Sequence, residues 1–169
     1  ALGTTYKGKK CGTFGKIGAL SFNGNKIVTT SGGGMALSDD PEAVEKIHFW
    51  ANQSKEKVNY YLHNEIGYNY RMSNICAGIG RGQIKNMGER VAARTHNYEY
   101  YKKAFADLPV SMAPVLEGCK PNFWLSVITI NEGCEVTPDE IINALEENNI
   151  ESRRAWNPMH NQPIFSDAD

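Results

Sequence analysis

The chain has little that would tie it to a membrane, a metal or nucleic acid. No apolar run approaches the roughly 20 residues that a membrane helix requires, and no basic-then-apolar leader opens the sequence. Its 18 Lys and Arg nearly balance 19 Asp and Glu, for a formal net charge of -1. That balance gives no case for nucleic acid or an anionic lipid surface as partner. Only four cysteines occur, Cys11, Cys76, Cys119 and Cys134, and none form a Cys-x-x-Cys pair. A structural zinc site is therefore not expected, and free thiols in a reducing cytoplasm are. Gly-Lys-[Ser/Thr] is missing, so there is no P-loop, and no Gly-x-Gly-x-x-Gly opens a helix. There is no initiator Met, the first residues are turn-rich, and the last ones form no closing element. We expect a longer parent polypeptide.

What is present is the composition of a soluble globular protein, 41% hydrophobic and 22% charged. Glycines are dense up to Gly34, as in short strands joined by tight turns. The patterning predicts strands over 17–22 and 35–38. A helix should start at Pro41, capped by Asp40, and run to Trp50 or Ala51 with Val44, Ile47 and Phe49 or Trp50 partly buried. Residues 52–69 lack clean periodicity and read as a long loop. Ser73 should cap a second helix with Ile75, Ile79 and Met87 on its buried side. Gly78, Gly80 and Gly82 make sense there if the helix packs closely on another backbone. A third, longer helix carries Val91, Thr95, Tyr98, Lys102 and Phe105 at helical spacing. Beyond Pro109 we expect a core strand over 123–130, a helix opened by the Thr137-Pro138-Asp139-Glu140 capping box, and a second strand over 150–153.

The segment richest in chemistry is Gly18 to Met35. A strand ends at Ser21, a polar turn follows, Lys26 sits five residues on, and Gly32, Gly33 and Gly34 come just after. This places a hydroxyl and an amine on one rim, beside backbone that a ligand can approach closely. A lysine so placed can serve as nucleophile or base. From the residues alone, a solvated surface lysine on an ordinary turn is the commoner alternative. Asn69 between two tyrosines could equally be a turn residue. His160 beside Pro158 and Met159 could be a packed surface histidine, and Arg153 and Arg154 could be solvated charges. His48 and His63 have no partner pattern and read as structural.

Ser21-Phe22-Asn23-Gly24-Asn25-Lys26 with Thr29 to Gly34 resembles the lysine motif of the DegT/DnrJ/EryC1/StrS sugar aminotransferases. Gly67-Tyr68-Asn69-Tyr70-Arg71 and Trp156-Asn157-Pro158-Met159-His160 resemble two further motifs of that family, in the same order. The wording of the motifs is most similar to enzymes that make UDP-linked 4-amino sugars of the bacillosamine type. The resemblance implies part of a fold-type I pyridoxal-phosphate-dependent aminotransferase. Residues 1–87 would be the C-terminal part of the large domain, and 88–169 a small α/β domain incomplete at its end. Lys26 would form the Schiff base with pyridoxal 5′-phosphate and move the proton between substrate and cofactor. Ser21 would bind the cofactor phosphate, and Asn69 would reach the phosphate in the neighbouring subunit of a homodimer. His160, Trp156 and Arg71 would bind substrate, and Tyr68 and Tyr70 would pack. The implied substrates are a 4-keto nucleotide sugar and an amino-acid donor, with glutamate expected.

The family's aspartate for the cofactor's pyridine nitrogen aligns upstream of Ala1, so the fragment alone is expected to be inactive. Ser31 stands where many members have glutamate, and Arg154-Ala155 where Pro-Leu is common. Two other classes compete: a non-catalytic or regulatory relative of the same fold, and a fold-type I enzyme acting on a small amino acid. The upstream aspartate would discriminate against the first, and the Trp156 to Pro163 segment speaks against the second.

Overall fold

The computed structural model describes residues 1–166; the last three positions of the expected small domain lie outside the described residues. The chain forms two compact units. One comprises Ala1–Glu99 and Pro114–Leu125, the other Tyr100–Ala113 and Ser126 onward. The boundary between these units falls inside a helix, and residues 114–125 belong to the first unit. The reason is a strand pairing that sequence patterning does not reveal, between β1 (Thr5–Tyr6) and a strand beginning at Cys119.

In the first unit, β1 pairs antiparallel with β2 (Lys9–Lys10) on one side and with Cys119–Lys120 on the other. β3 (Gly18–Ser21) and β4 (Gly34–Leu37) form a separate hairpin in which Ser21 faces Gly34 across the ladder. Both strands lie where the patterning predicts them. Helix α1 (Pro41–Ala51) starts as expected, because the Asp40 carboxylate accepts from the backbone N–H groups of Glu42 and Ala43. The Lys16 ammonium 3.0 Å away, with those amides, holds Asp40 below its ordinary carboxylate range.

Helix α2 (Asn74–Ile84) is capped by Ser73, whose hydroxyl accepts from Cys76 N–H. Its buried side differs from expectation. Ile75 is 79% exposed and Ile79 45%, whereas Cys76, Gly80 and Gln83 form the half-buried stripe. The cause is how closely α2 approaches the loop after β3. Gln83 Oε1 accepts from Thr29 N–H at 3.2 Å, and a Cβ on Gly80 would lie 2.8 Å from the Thr30 side chain. A face that must come this near a backbone selects small residues over isoleucines. Val44 and Trp50 on α1 are likewise more exposed than their spacing suggests, at 45% and 41%.

Helix α3 (Met87–Ala104) presents Val91, Thr95 and Tyr98 as its inward stripe. The core of this unit is small: Phe22, Ile27 and Val28, with Leu2, Leu20, Met72, Met87 and Val91 packed around them. Tyr98 is also buried, stacked on Phe123 with ring centroids 4.0 Å apart.

In the second unit, β5 (Val110–Met112) pairs antiparallel with β7 (Ile128–Ile130), β6 being the Cys119–Lys120 strand of the first. The predicted strand over 123–130 thus survives only in its last three residues, because Phe123 adopts a left-handed backbone, φ 45°, that no strand accommodates. Helix α4 (Pro138–Glu146) opens with the predicted capping box, complete in both directions. Residues 150–153 form no strand: Asn149 takes φ 59°, and Ile150 N–H bonds back to Leu145 C=O. The chain then makes two short 3-10 turns, Met159–Asn161 and Pro163–Phe165.

The glycine stripe of α2 yields a stability prediction. Gly80→Ala should destabilise this chain by about 1–3 kcal/mol through overpacking on Thr30. Gly78→Ala, whose Cβ would meet nothing within 4 Å, should be neutral or stabilising by up to about 1 kcal/mol. Urea unfolding of the two variants checks the contrast; equal effects would refute the close approach at Gly80.

Candidate functional site

The β3–β4 connection is closed at its base by two backbone bonds, Phe22 N–H to Gly33 C=O and Thr30 N–H to Phe22 C=O. Inside it, Lys26 N–H bonds to Asn23 C=O at 3.0 Å, forming a tight turn over 23–26. The next two residues, Ile27 and Val28, are 7% and 2% exposed and plug into the core. Burying a Val or Ile side chain is worth about 1.5–3 kcal/mol, so these two anchor the position that precedes them. Lys26 is therefore half-buried at the rim of a fixed loop, not on a freely solvated turn.

Ser21 ends β3 and is exposed. Its Oγ accepts from Asn23 N–H at 3.5 Å, the long limit of a hydrogen bond, which leaves the hydroxyl proton available to a ligand. The structure thus places Ser21 and Lys26 on one loop, as the sequence predicts. Ser31 stays left-handed at φ 70°, its N–H held by Thr29 Oγ1 at 3.0 Å.

One residue at this rim was not singled out by the sequence. Trp124 lies with its indole face 4.0 Å from Lys26 Nζ and donates its Nε1–H to Asn25 C=O at 2.6 Å. Its neighbours hold it in place. Asn122 Oδ1 accepts from Trp124 N–H, while Asn122 Nδ2 donates to Leu2 C=O and Asn122 N–H donates to Thr4 Oγ1. No local signal marks Trp124, because the apolar run around it reads as a strand.

Asn69 and Arg71 sit on a segment folded back along the end of α1. Tyr68 N–H bonds to Trp50 C=O, Gln53 N–H to Tyr68 C=O, and Tyr70 N–H to Ala51 C=O. The turn that permits this puts Gln53 and Ser54 at positive φ, 66° and 50°. It buries Ser54 completely, with its hydroxyl donating to Ile66 C=O. Gly67 is required here, since a Cβ would fall 2.3 Å from Gln53 and Ser54 backbone atoms. In extended backbone, alternate side chains take opposite faces. Tyr68 and Tyr70 stack at 4.8 Å between centroids, and Asn69 between them faces away, exposed. Glu65 braces the segment by bonding Lys46 and, at 2.9 Å, Trp50 Nε1–H; the Lys46 bond first and the indole second hold its carboxyl below the usual range. Arg71 bonds the ring of His48, which lies on α1.

Trp156 and His160 belong to the second unit, and both are exposed. His160 is carried by a turn tied at 3.2 Å by Asn157 Nδ2 to Asn161 C=O and by Gln162 Nε2 to Asn157 C=O. Arg154 is engaged by Asp139 in a bidentate pair at 2.9 and 2.6 Å, and Arg153 pairs with Glu151. Each arginine thus has a carboxylate partner in its own unit. Among the described residues no cluster of His, Cys, Asp and Glu could hold a metal, and no helix is long and apolar enough to cross a membrane.

This chain is similar to known proteins along its whole length. EpsN of Bacillus subtilis (strain 168) is 47% identical over 169 residues, covering 99% of this chain and 43% of EpsN. GDP-perosamine synthase of Vibrio cholerae is 36% identical over 165 residues, covering 98% of this chain and 45% of that enzyme. Among solved structures, the PLP-form of Streptococcus pneumoniae Spr1654 superposes with a TM-score of 0.87 at 23% identity, covering 99% of this chain and 44% of the other. The chain therefore spans less than half the length of the relatives it matches. Its fold is part of the fold-type I architecture of sugar aminotransferases, whose family depends on pyridoxal phosphate. The sequence signature of that family runs unbroken over residues 1–169, and the chain belongs to it, the DegT/DnrJ/EryC1/StrS aminotransferase family.

Proposed function

We propose that the whole protein moves an amino group from an amino acid, with glutamate as donor, to the 4-keto carbon of a nucleotide-linked deoxysugar. Lys26 carries this reading: an amine half-buried on a braced loop, five residues after an exposed serine hydroxyl. The donor set suits pyridoxal 5′-phosphate, since an amine can take up its aldehyde and a hydroxyl with a free proton can bond its phosphate. When bound, that cofactor supplies the electron sink for breaking and making bonds at the amino carbon. The remaining chemistry falls to the protein. Lys26 Nζ accepts and returns the migrating proton, Ser21 Oγ holds the phosphate, and the Asn25–Trp124 bond braces the loop that carries Lys26.

In this proposal Asn69 reaches the cofactor phosphate of the second subunit in a homodimer. Its exposure on the face opposite the Tyr68–Tyr70 stack supports that role. Trp156 and His160 line the nucleotide-sugar pocket. Arg71 contributes to substrate binding through a guanidinium that the His48 contact holds in place. Residues 1–87 form the end of the large cofactor-binding domain and 88–169 the small α/β domain of the whole enzyme, which works in the cytoplasm.

Lys26→Ala in the full-length protein should abolish multiple-turnover transamination while retaining cofactor binding through the phosphate. Substantial turnover in that variant would refute the assignment. Ser21→Ala should keep residual turnover with roughly ten- to hundredfold weaker cofactor affinity, since a hydrogen bond to a charged group is worth about 1.5–3 kcal/mol. Cofactor titration followed by absorbance separates the two variants.

The shared site has its own test. A Lys26→Ala subunit and an Asn69→Ala subunit damage different components, so a mixed dimer would hold one site with both lesions and one with none. Subunit exchange, verified by native mass, should restore up to half the wild-type turnover per heterodimer. Heterodimers no more active than the separate variants would place Asn69 outside the partner's site.

A further inference from the structure

We infer that Trp124 is a positioning residue for Lys26: its indole face holds the ε-ammonium, and its N–H fixes the loop at the residue before. This inference rests on the assignment of Lys26 as the cofactor lysine and adds the group that keeps its amine in place. One ring makes both contacts, 4.0 Å from Nζ to the ring and 2.6 Å from Nε1 to Asn25 C=O, the latter across 99 positions of sequence. The other lysine–aromatic contacts among the described residues are longer, 4.3 to 5.4 Å, and join residues close in sequence. An indole is the best of the aromatic faces for an ammonium.

The surroundings of Trp124 are built to hold it. Phe123 adopts φ 45°, a left-handed conformation that non-glycine residues rarely take. Such backbone persists only where the surroundings over-determine it, and it clusters at functional sites. Here the Tyr98–Phe123 stack clamps one side and the Asn122 hydrogen bonds to Leu2, Thr4 and Trp124 clamp the other. The same turn that destroys the expected strand therefore aims the indole at Lys26. Whenever Lys26 is not covalently engaged, its amine rests on this ring instead of swinging into solvent on a four-carbon stem. The amine stays near the point of use, and it serves as proton acceptor only after it has given up its own proton and left the ring.

Two measurements on the full-length protein, freed of cofactor, test this without reading activity. In the first, brief acetylation with acetic anhydride is mapped by peptide mass, with Lys57, 93% exposed at its side chain, as internal reference. Trp124→Leu should raise the Lys26:Lys57 labelling ratio roughly two- to fivefold. Trp124→Phe, which keeps a ring and loses the N–H, should recover most of the protection. An unchanged ratio in the leucine variant overturns the inference. Equal ratios in the two variants overturn the ring contact and leave only the hydrogen bond. The second measurement needs only the conservative Trp124→Phe variant, to assign one resonance, and reads the contact from the lysine side. In 5-fluorotryptophan-labelled protein, the 19F resonance lost in Trp124→Phe must be one that Lys26→Met shifts; an unmoved resonance refutes the contact. A raised KM for sugar substrate in Trp124→Leu, with Lys26 labelling unaltered, would instead make Trp124 a substrate-stacking residue and overturn the proposal. Turnover in Lys26→Ala bears on the cofactor-lysine assignment alone, so failure of that assignment and failure of the Trp124 contact are told apart.

Discussion

The burial of Ile27 and Val28 is the constraint on which the candidate site depends. These two side chains give the β3–β4 loop an interior, and a loop with an interior has one conformation. Lys26 precedes them and Thr29 and Thr30 follow. The plug thus sets the lysine at the rim and presents Thr29 N–H to Gln83 and the Thr30 methyl to Gly80. Helix α2 is docked through the same few residues that position the amine. A cavity at Val28 would be felt at both places, because packed interiors transmit volume changes.

Backbone geometry outside the regular elements does most of the remaining positioning. Three short departures from ordinary φ each re-aim a segment of the candidate site: Ser31 beside the glycine run, Gln53–Ser54 where the chain turns back along α1, and Phe123 before Trp124. Hydrogen bonds flank each: Ser31 N–H to Thr29 Oγ1, Gln53 N–H to Tyr68 C=O, and Trp124 N–H to Asn122 Oδ1. Ser54, fully buried, shows the balance: strained backbone, a close approach that only Gly67 allows, and a hydroxyl satisfied by Ile66 C=O.

Against this ordered site, much apolar surface stands open. Ile66 is 82% exposed, Ile75 79%, Tyr61 78% and Tyr70 74%. Apolar exposure on this scale is what interaction surfaces look like, and the chain covers only 43% of EpsN and 45% of the Vibrio cholerae enzyme. Ile75 explains why periodicity misjudged α2: an isoleucine pattern marks a face to be covered, without stating by what.

The sequence by itself determined the local features whose causes are local. Asp40, Ser73 and Thr137 cap helices because a short oxygen-bearing side chain reaches amides two or three residues on. The hairpin carrying Ser21 and Lys26 followed from strand alternation and glycine turns, and the motifs around Lys26, Asn69 and His160 were enough to indicate the family. Only the tertiary structure decided what depends on residues far apart in the chain. It joined Cys119–Lys120 to β1, turned the small stripe of α2 inward over its isoleucines, broke the strand expected at 123–130, and brought Trp124 to Lys26. The physical reason is that caps and turns are settled by atoms within a few bonds, whereas a contact across 99 positions carries no periodicity. Its geometry is set by the packing of everything between.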